Sequence, residues 1–107
     1  MKDKPHFYWK AYCNKERHVA IHQIESIVNQ YGFITDFHMF SDMELNLKIE
    51  IAENKITRLY EALNEYMETG KYTDNGTQST TERLIMLNIT FTGSTGNLKI
   101  EIPDVPG

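Results

Sequence analysis

The chain has 107 residues, a formal net charge of −4 and a single cysteine, with 40% hydrophobic and 24% charged residues. This length predicts one domain built around one core, with no room for a second domain. One cysteine excludes an intrachain disulfide, and no apolar run has the form of a membrane span or a secretory leader, so we expect a soluble cytoplasmic protein. The negative charge repels polyanions, which disfavours nucleic acid as a partner.

The first third of the chain predicts a strand followed by a helix. Residues 7–13 alternate in polarity and are rich in aromatic rings, which favours a strand with Phe7 and Trp9 directed inward. Asn14 is expected to cap a helix that carries apolar residues at three- and four-residue steps as far as residue 31. Gly32 is expected to end that helix in the left-handed conformation.

The clearest pattern lies at residues 43–51, where apolar and polar residues alternate without a break, as in a strand with one buried face. A strand at 33–40 is predicted to form a hairpin with it. A second helix is predicted from Asn54 to Gly70, followed by a polar stretch, 71–82, that is expected to be a flexible loop. Further strands are predicted at 83–92 and 98–102, before a tail at 103–107.

This order of elements, β-α-β-β-α-β-β, resembles the ferredoxin-like split β-α-β architecture of the α+β class. We therefore expect a single α+β domain over residues 1–107, with an antiparallel sheet and both helices on one face. The first and third strands would be central, and the C-terminal strand would form a hairpin with the fourth strand as an extra edge. Because this architecture serves many unrelated activities, it implies no function by itself.

The face of the sheet away from the helices is the main candidate for an interface or a ligand site. Tyrosine and methionine are enriched where proteins meet, although a solvated sheet face would show the same alternation of charges. An RNA-binding sheet would need aromatic rings on its middle strands, and the 43–51 strand has none. The candidate residues of this face are Tyr8, Lys10, Tyr12, Lys48, Met86 and Asn88.

Few residues have the spacing of a catalytic or metal site. His18 and His22 are four residues apart on the first helix, with Glu25 nearby, but this stripe is expected to face solvent, so we predict no metal and no cofactor. Cys13 is expected to be a small core residue. Secondary candidates are Asp36 and His38, which lie two residues apart on the second strand. His38 would act as a general base only if it converged with a carboxylate.

These observations favour a domain that works by binding, as an interaction or regulatory module, and that forms a homodimer through the open sheet face or binds another protein. The first alternative is a small enzyme of the dimeric α+β barrel kind, with a pocket between sheet and helices and with His38, Tyr12 or Asp36 as catalytic groups. The second alternative is an acidic protein that neutralises a basic partner, as immunity proteins do.

Overall fold

The structure is a computed structural model, and it describes residues 6–72 and 79–93. It shows a small α+β domain with two α-helices and one five-stranded mixed sheet. The elements are β1 (His6–Cys13), α1 (Arg17–Asn29), β2 (Gly32–Ser41), β3 (Glu44–Ala52), a 3-10 turn (Glu53–Lys55), α2 (Ile56–Tyr66), β4 (Glu68–Thr69) and β5 (Glu82–Phe91).

The strand order in the sheet is β2-β3-β5-β1-β4. β5 runs parallel to β1 and antiparallel to β3, so it lies between the two strands that a ferredoxin-like fold would place side by side. The ferredoxin-like order is therefore not confirmed, and the sheet is mixed where an antiparallel one was expected. The short β4 pairs antiparallel with the outer edge of β1 at Ala11 and Tyr12, the side on which a ferredoxin-like fold would place its last long strand.

The predicted C-terminal strand, 98–102, lies outside the described residues, as do the tail and much of the predicted loop. Its expected partner, however, is described. β3 pairs with one edge of β5 and β1 pairs with the other, each along most of its length. A strand between two neighbours has its backbone groups paired on both sides, so the predicted hairpin of the C-terminal strand with β5 is not confirmed.

Both helices cover the same face of the sheet, and one hydrophobic cluster fills the space between them. The alternation of β1, β3 and β5 sets this packing, because every second residue of a strand points to the same side. Trp9 and Cys13 are buried, which confirms their inward assignment. The other buried apolar residues are Ala11, Ala20, Ile24, Val28, Leu45, Leu47, Ile49, Ile51, Ile56, Leu59, Leu63, Met67, Ile85, Leu87, Ile89 and Phe91.

The helix ends differ from the prediction. The first helix begins at Arg17, because the side chain of Glu16, and not that of Asn14, accepts a hydrogen bond from the Val19 amide, with an N–O distance of 3.0 Å. It ends at Asn29, and Gly32 begins β2 without a left-handed backbone. A Cβ atom at Gly32 would lie 2.5 Å from the Glu50 carbonyl oxygen, so close strand approach explains this glycine.

The second helix is also shorter than predicted. The 3-10 turn includes Asn54, and the α-helix itself begins at Ile56. It ends at Tyr66, four residues before Gly70, because the chain there turns back to form β4. The amide of Gly70 then donates to the carbonyl of Lys10, at 2.8 Å, which ties this connection to β1.

Candidate functional site

The open face is the side of the sheet opposite the helices. Residues that lie directly across from one another in a ladder share a face, so the register defines its members. Of the predicted candidates, Tyr8 lies opposite Met86, Lys10 opposite Asn88, and Lys48 opposite Met86. The open face includes Tyr8, Lys10 and Tyr12 on β1, Leu84, Met86, Asn88 and Thr90 on β5, Glu44, Asn46, Lys48 and Glu50 on β3, and Phe33, Asp36 and His38 on β2.

A hydrogen-bond network crosses the centre of the open face over three strands. The ammonium group of Lys10 donates to Asn88 Oδ1 at 3.1 Å. The amide nitrogen of Asn88 donates to Asn46 Oδ1 at 2.6 Å and to Glu44 Oε2 at 2.8 Å. Asn88 thus uses both ends of its side-chain amide, which fixes the orientation of that amide and holds its neighbours in place.

The network connects two predicted site residues, Lys10 and Asn88, with two that were not selected, Glu44 and Asn46. Alternation had placed all four on the same face. The contact between them depends on the register, in which Asn46, Asn88 and Lys10 form one row across β3, β5 and β1. The available signal was the pair of asparagines in otherwise apolar and charged strands, because strands are depleted in asparagine.

Tyrosine rings and a methionine flank this network. Tyr8 is 74% exposed and Tyr12 is 44% exposed, whereas Met86 is half-buried. A pocket of about 260 Å³ opens between Tyr8 and the network. Its walls are Tyr8, Trp9, Lys10, Asn46, Met86 and Asn88, so it includes four of the six predicted residues and excludes Tyr12 and Lys48.

The secondary candidates lie on the open face of β2. Asp36 is opposite Lys48, and His38 is opposite Asn46, while the His38 ring packs edge-on against Phe40 at a centroid distance of 4.6 Å. Tyr12 is on β1, which is separated from β2 by β5 and β3. Three strand spacings amount to about 14 Å, so the structure does not bring Tyr12 together with His38 or Asp36.

The space between sheet and helices, where the enzyme hypothesis requires a pocket, holds the hydrophobic cluster. Tyr66, at the end of α2, packs against this cluster, and its buried hydroxyl has no hydrogen-bond partner among the described residues. Burial, followed by the influence of the neighbouring Cys13 thiol, raises the pKa of Tyr66. The Lys15 ammonium lies over the same ring, 4.4 Å from its centroid.

The histidines of α1 are exposed, as expected. His18 Nδ1 lies 2.9 Å from a carboxylate oxygen of Glu16, and that carboxylate also caps the helix. Hydrogen bonds from the His18 and Val19 amides, reinforced by the His18 ring, lower the pKa of Glu16 to about 2. Within residues 6–72 and 79–93, no three histidine, cysteine, aspartate or glutamate side chains are grouped as a metal site would require.

Comparisons of the chain with protein-family models, with curated proteins and with solved structures found no match. Neither helix in the described part of the chain is long and apolar enough to cross a membrane.

Proposed function

We propose that this chain is a non-enzymatic interaction module that forms a homodimer through its open face. The observation that carries the proposal is the network of Lys10, Asn88, Asn46 and Glu44, which lies beside the exposed Tyr8 ring. Side chains that are already held by hydrogen bonds lose less conformational entropy when a partner covers them. Tyrosine adds a large and rigid contact surface of the type enriched at protein interfaces.

The charges of the open face support a second copy of the chain as the partner. In a two-fold dimer the same surface meets itself, so a face of one sign would repel its copy. Here the signs are mixed. Two lysines lie on β1 and β3, and acidic residues surround them on β2 and β3. They are Lys10, Lys48, Asp36, Glu44 and Glu50.

We place this activity in the cytoplasm, since the chain has one cysteine and that cysteine is buried as a free thiol. Proteins of a reducing compartment are stable without disulfides, and the hydrophobic packing of this core provides stability of that kind.

Light scattering over a dilution series tests the homodimer. The wild-type chain is expected at twice its 12.5 kDa mass. Tyr8→Glu introduces a charge beside the hydrogen-bond network of the open face and is expected to give a monomer. Val19→Glu is the matched control, because Val19 is an exposed apolar residue on α1, away from the sheet. The control should remain a dimer.

A wild-type chain that stays monomeric at every concentration overturns the homodimer. Recovery of that monomer from its host together with a stoichiometric basic protein would favour the partner-neutralising alternative instead, in agreement with the net charge of −4.

A further inference from the structure

A second surface lies at the margin of the sheet, along β2. Among the described residues, β3 is the only strand that pairs with β2. The opposite side of β2, here called the β2 edge, is ten residues long and carries exposed aromatic rings. Phe33 is 70% exposed and Phe37 is 41% exposed. A long apolar edge strand presents backbone N–H and C=O groups to another strand, and proteins commonly protect such edges from pairing.

We propose that the β2 edge pairs antiparallel with the β2 edge of a second copy of the chain, about a two-fold axis at Phe37. The two sheets would then form one continuous sheet. This contact uses the margin of the sheet and its backbone groups, so it is distinct from the open face and does not depend on the face-to-face homodimer. It is the weaker of the two contacts, so it is detected by covalent trapping and does not change the mass measured by light scattering.

The bulges of β2 limit where the axis can lie. The ladder with β3 is irregular between Ile34 and Asp36 and again between Met39 and Ser41. Residues 36–39 pair regularly between these points. A bulge twists a strand and disrupts pairing, so the regular segment is the part best suited to accept a new strand.

The alternation of side chains limits the axis further. Opposed residues of an antiparallel ladder must point to the same face, so only registers that place a residue opposite its own copy are allowed within this segment. An axis at Asp36 would oppose two carboxylates, and an axis at His38 would oppose two imidazoles. An axis at Met39 would pair the regular segment with residues 40 and 41 of the partner, at the second bulge. An axis at Phe37 sets Asp36 opposite the partner's His38, and the pair occurs twice by symmetry.

That register also places the exposed ring of Phe37 at the two-fold axis. Phe37 lies opposite Leu47, so it points to the helix side of the sheet, but it lies outside the hydrophobic cluster. In the proposed contact it packs against the partner's Phe37. An aromatic pair opposed across two strands stabilises a ladder, and the imidazole N–H of His38 can donate to the opposing carboxylate.

Disulfide trapping tests the axis. In the Phe37→Cys variant the two introduced thiols face one another, with Cα atoms about 4.5–5.5 Å apart, which is within the range of a disulfide. Phe33→Cys is the matched control, because Phe33 is the more exposed residue on the same strand but would not face its own copy across the β2 edge. Since Phe33 points to the open face, both variants are compared in the Tyr8→Glu background, which removes the open-face contact. The wild-type chain measures the background from the buried Cys13.

We expect mild oxidation to give a covalent dimer of Phe37→Cys at least about tenfold faster than of Phe33→Cys, since only the former opposes its own copy. Equal rates, or faster trapping of Phe33→Cys, would overturn the proposal. Adding Tyr8→Glu to Phe37→Cys separates the two surfaces. Trapping should persist in that variant, and its loss would show that the contact depends on the open face.

A charge exchange tests the register. In the Phe37→Cys background, His38→Asp sets two pairs of carboxylates against one another and should slow trapping several-fold. Adding Asp36→His restores opposite partners with their positions exchanged, and trapping should recover. If His38→Asp has no effect, or if Asp36→His does not rescue it while circular dichroism shows both variants folded, the register is wrong.

Discussion

The two faces of the sheet are made by the same strands, yet they are held in different ways. On β3 and β5, the buried apolar residues that face the helices are at most 1% exposed and belong to one hydrophobic cluster. The residues between them, on the open face, are half-buried and include the hydrogen-bonded Asn88, Asn46 and Glu44. The covered face is stabilised by packing, whereas the centre of the open face is ordered by specific polar contacts.

The two sides of the sheet also differ in their buried polar atoms without hydrogen-bond partners. Among the described residues, the buried side-chain oxygens without a hydrogen-bond partner are those of Tyr66 and Thr69. Both lie on the helix side of the sheet, Tyr66 against the hydrophobic cluster and Thr69 opposite Ala11. The covered side therefore tolerates local polar defects, because the surrounding apolar burial is extensive. On the open face, order depends on the polar contacts themselves.

The largest expected effect on stability is a contrast between two neighbouring residues of β3 that point to opposite faces. Leu47→Ala removes a fully buried side chain and should lower the free energy of unfolding by about 2–5 kcal/mol. Lys48→Ala, one residue further along, should change it by less than about 0.5 kcal/mol. Chemical denaturation at equal protein concentrations measures both values. Similar losses for the two variants would contradict the division between a packed face and an open one.

A smaller effect, with the opposite sign, is expected at Tyr66. Tyr66→Phe removes a buried hydroxyl that has no partner within residues 6–72 and 79–93 and should raise the free energy of unfolding by about 1 kcal/mol. Tyr60→Phe is the matched control on the same helix. Its hydroxyl donates to the Gly70 carbonyl at 2.9 Å, so its removal should lower stability by about 1 kcal/mol. Thermal or chemical denaturation of both variants checks the contrast, which fails if both are destabilised alike.

The smallest effect concerns the exposed cap of α1. The pKa of Glu16 is lowered from 4.5 to about 2 in the folded chain, so the unfolded chain binds this proton first as the pH falls. Its contribution to stability is therefore present above pH 4.5 and is lost between pH 4.5 and about 2. Glu16→Gln lacks this contribution.

Denaturation curves of wild type and Glu16→Gln, recorded from pH 6 to pH 2, measure this loss. The difference in stability between the two chains should shrink as the pH falls through this range. A difference that stays constant with pH would mean that the carboxylate does not cap the helix in its charged form.

The faces of the strands could be predicted from the sequence, whereas the order of the strands could not. Alternation is a property of adjacent residues, so residues 43–51 define both their buried and their open side. Strand order depends on which distant segments pair. Nothing local in residues 7–13 shows that β5 and the two-residue β4 will lie on either side of them.

The candidate site likewise has a part that the sequence predicts and a part that it does not. The predicted positions of Tyr8, Lys10 and Asn88 on one face follow from alternation alone. The contact of Asn88 with Asn46 and Glu44 requires a register between β3 and β5, which are more than 40 positions apart in the chain. The prediction of the helix ends was wrong for a similar reason. Both Asn14 and Glu16 can cap a helix, and the backbone of the finished fold decides between them.

The central place of β5 has a consequence for the order in which the chain folds. His6 pairs with Leu84, so the two ends of the described chain must meet before β1 has its long neighbour. During synthesis the N-terminal strand emerges first, and only the β2–β3 hairpin can form a ladder with a nearby segment. Contacts between such distant residues slow folding. We therefore expect the nascent chain to remain open, with its aromatic first strand accessible to chaperones, until β5 has left the ribosome.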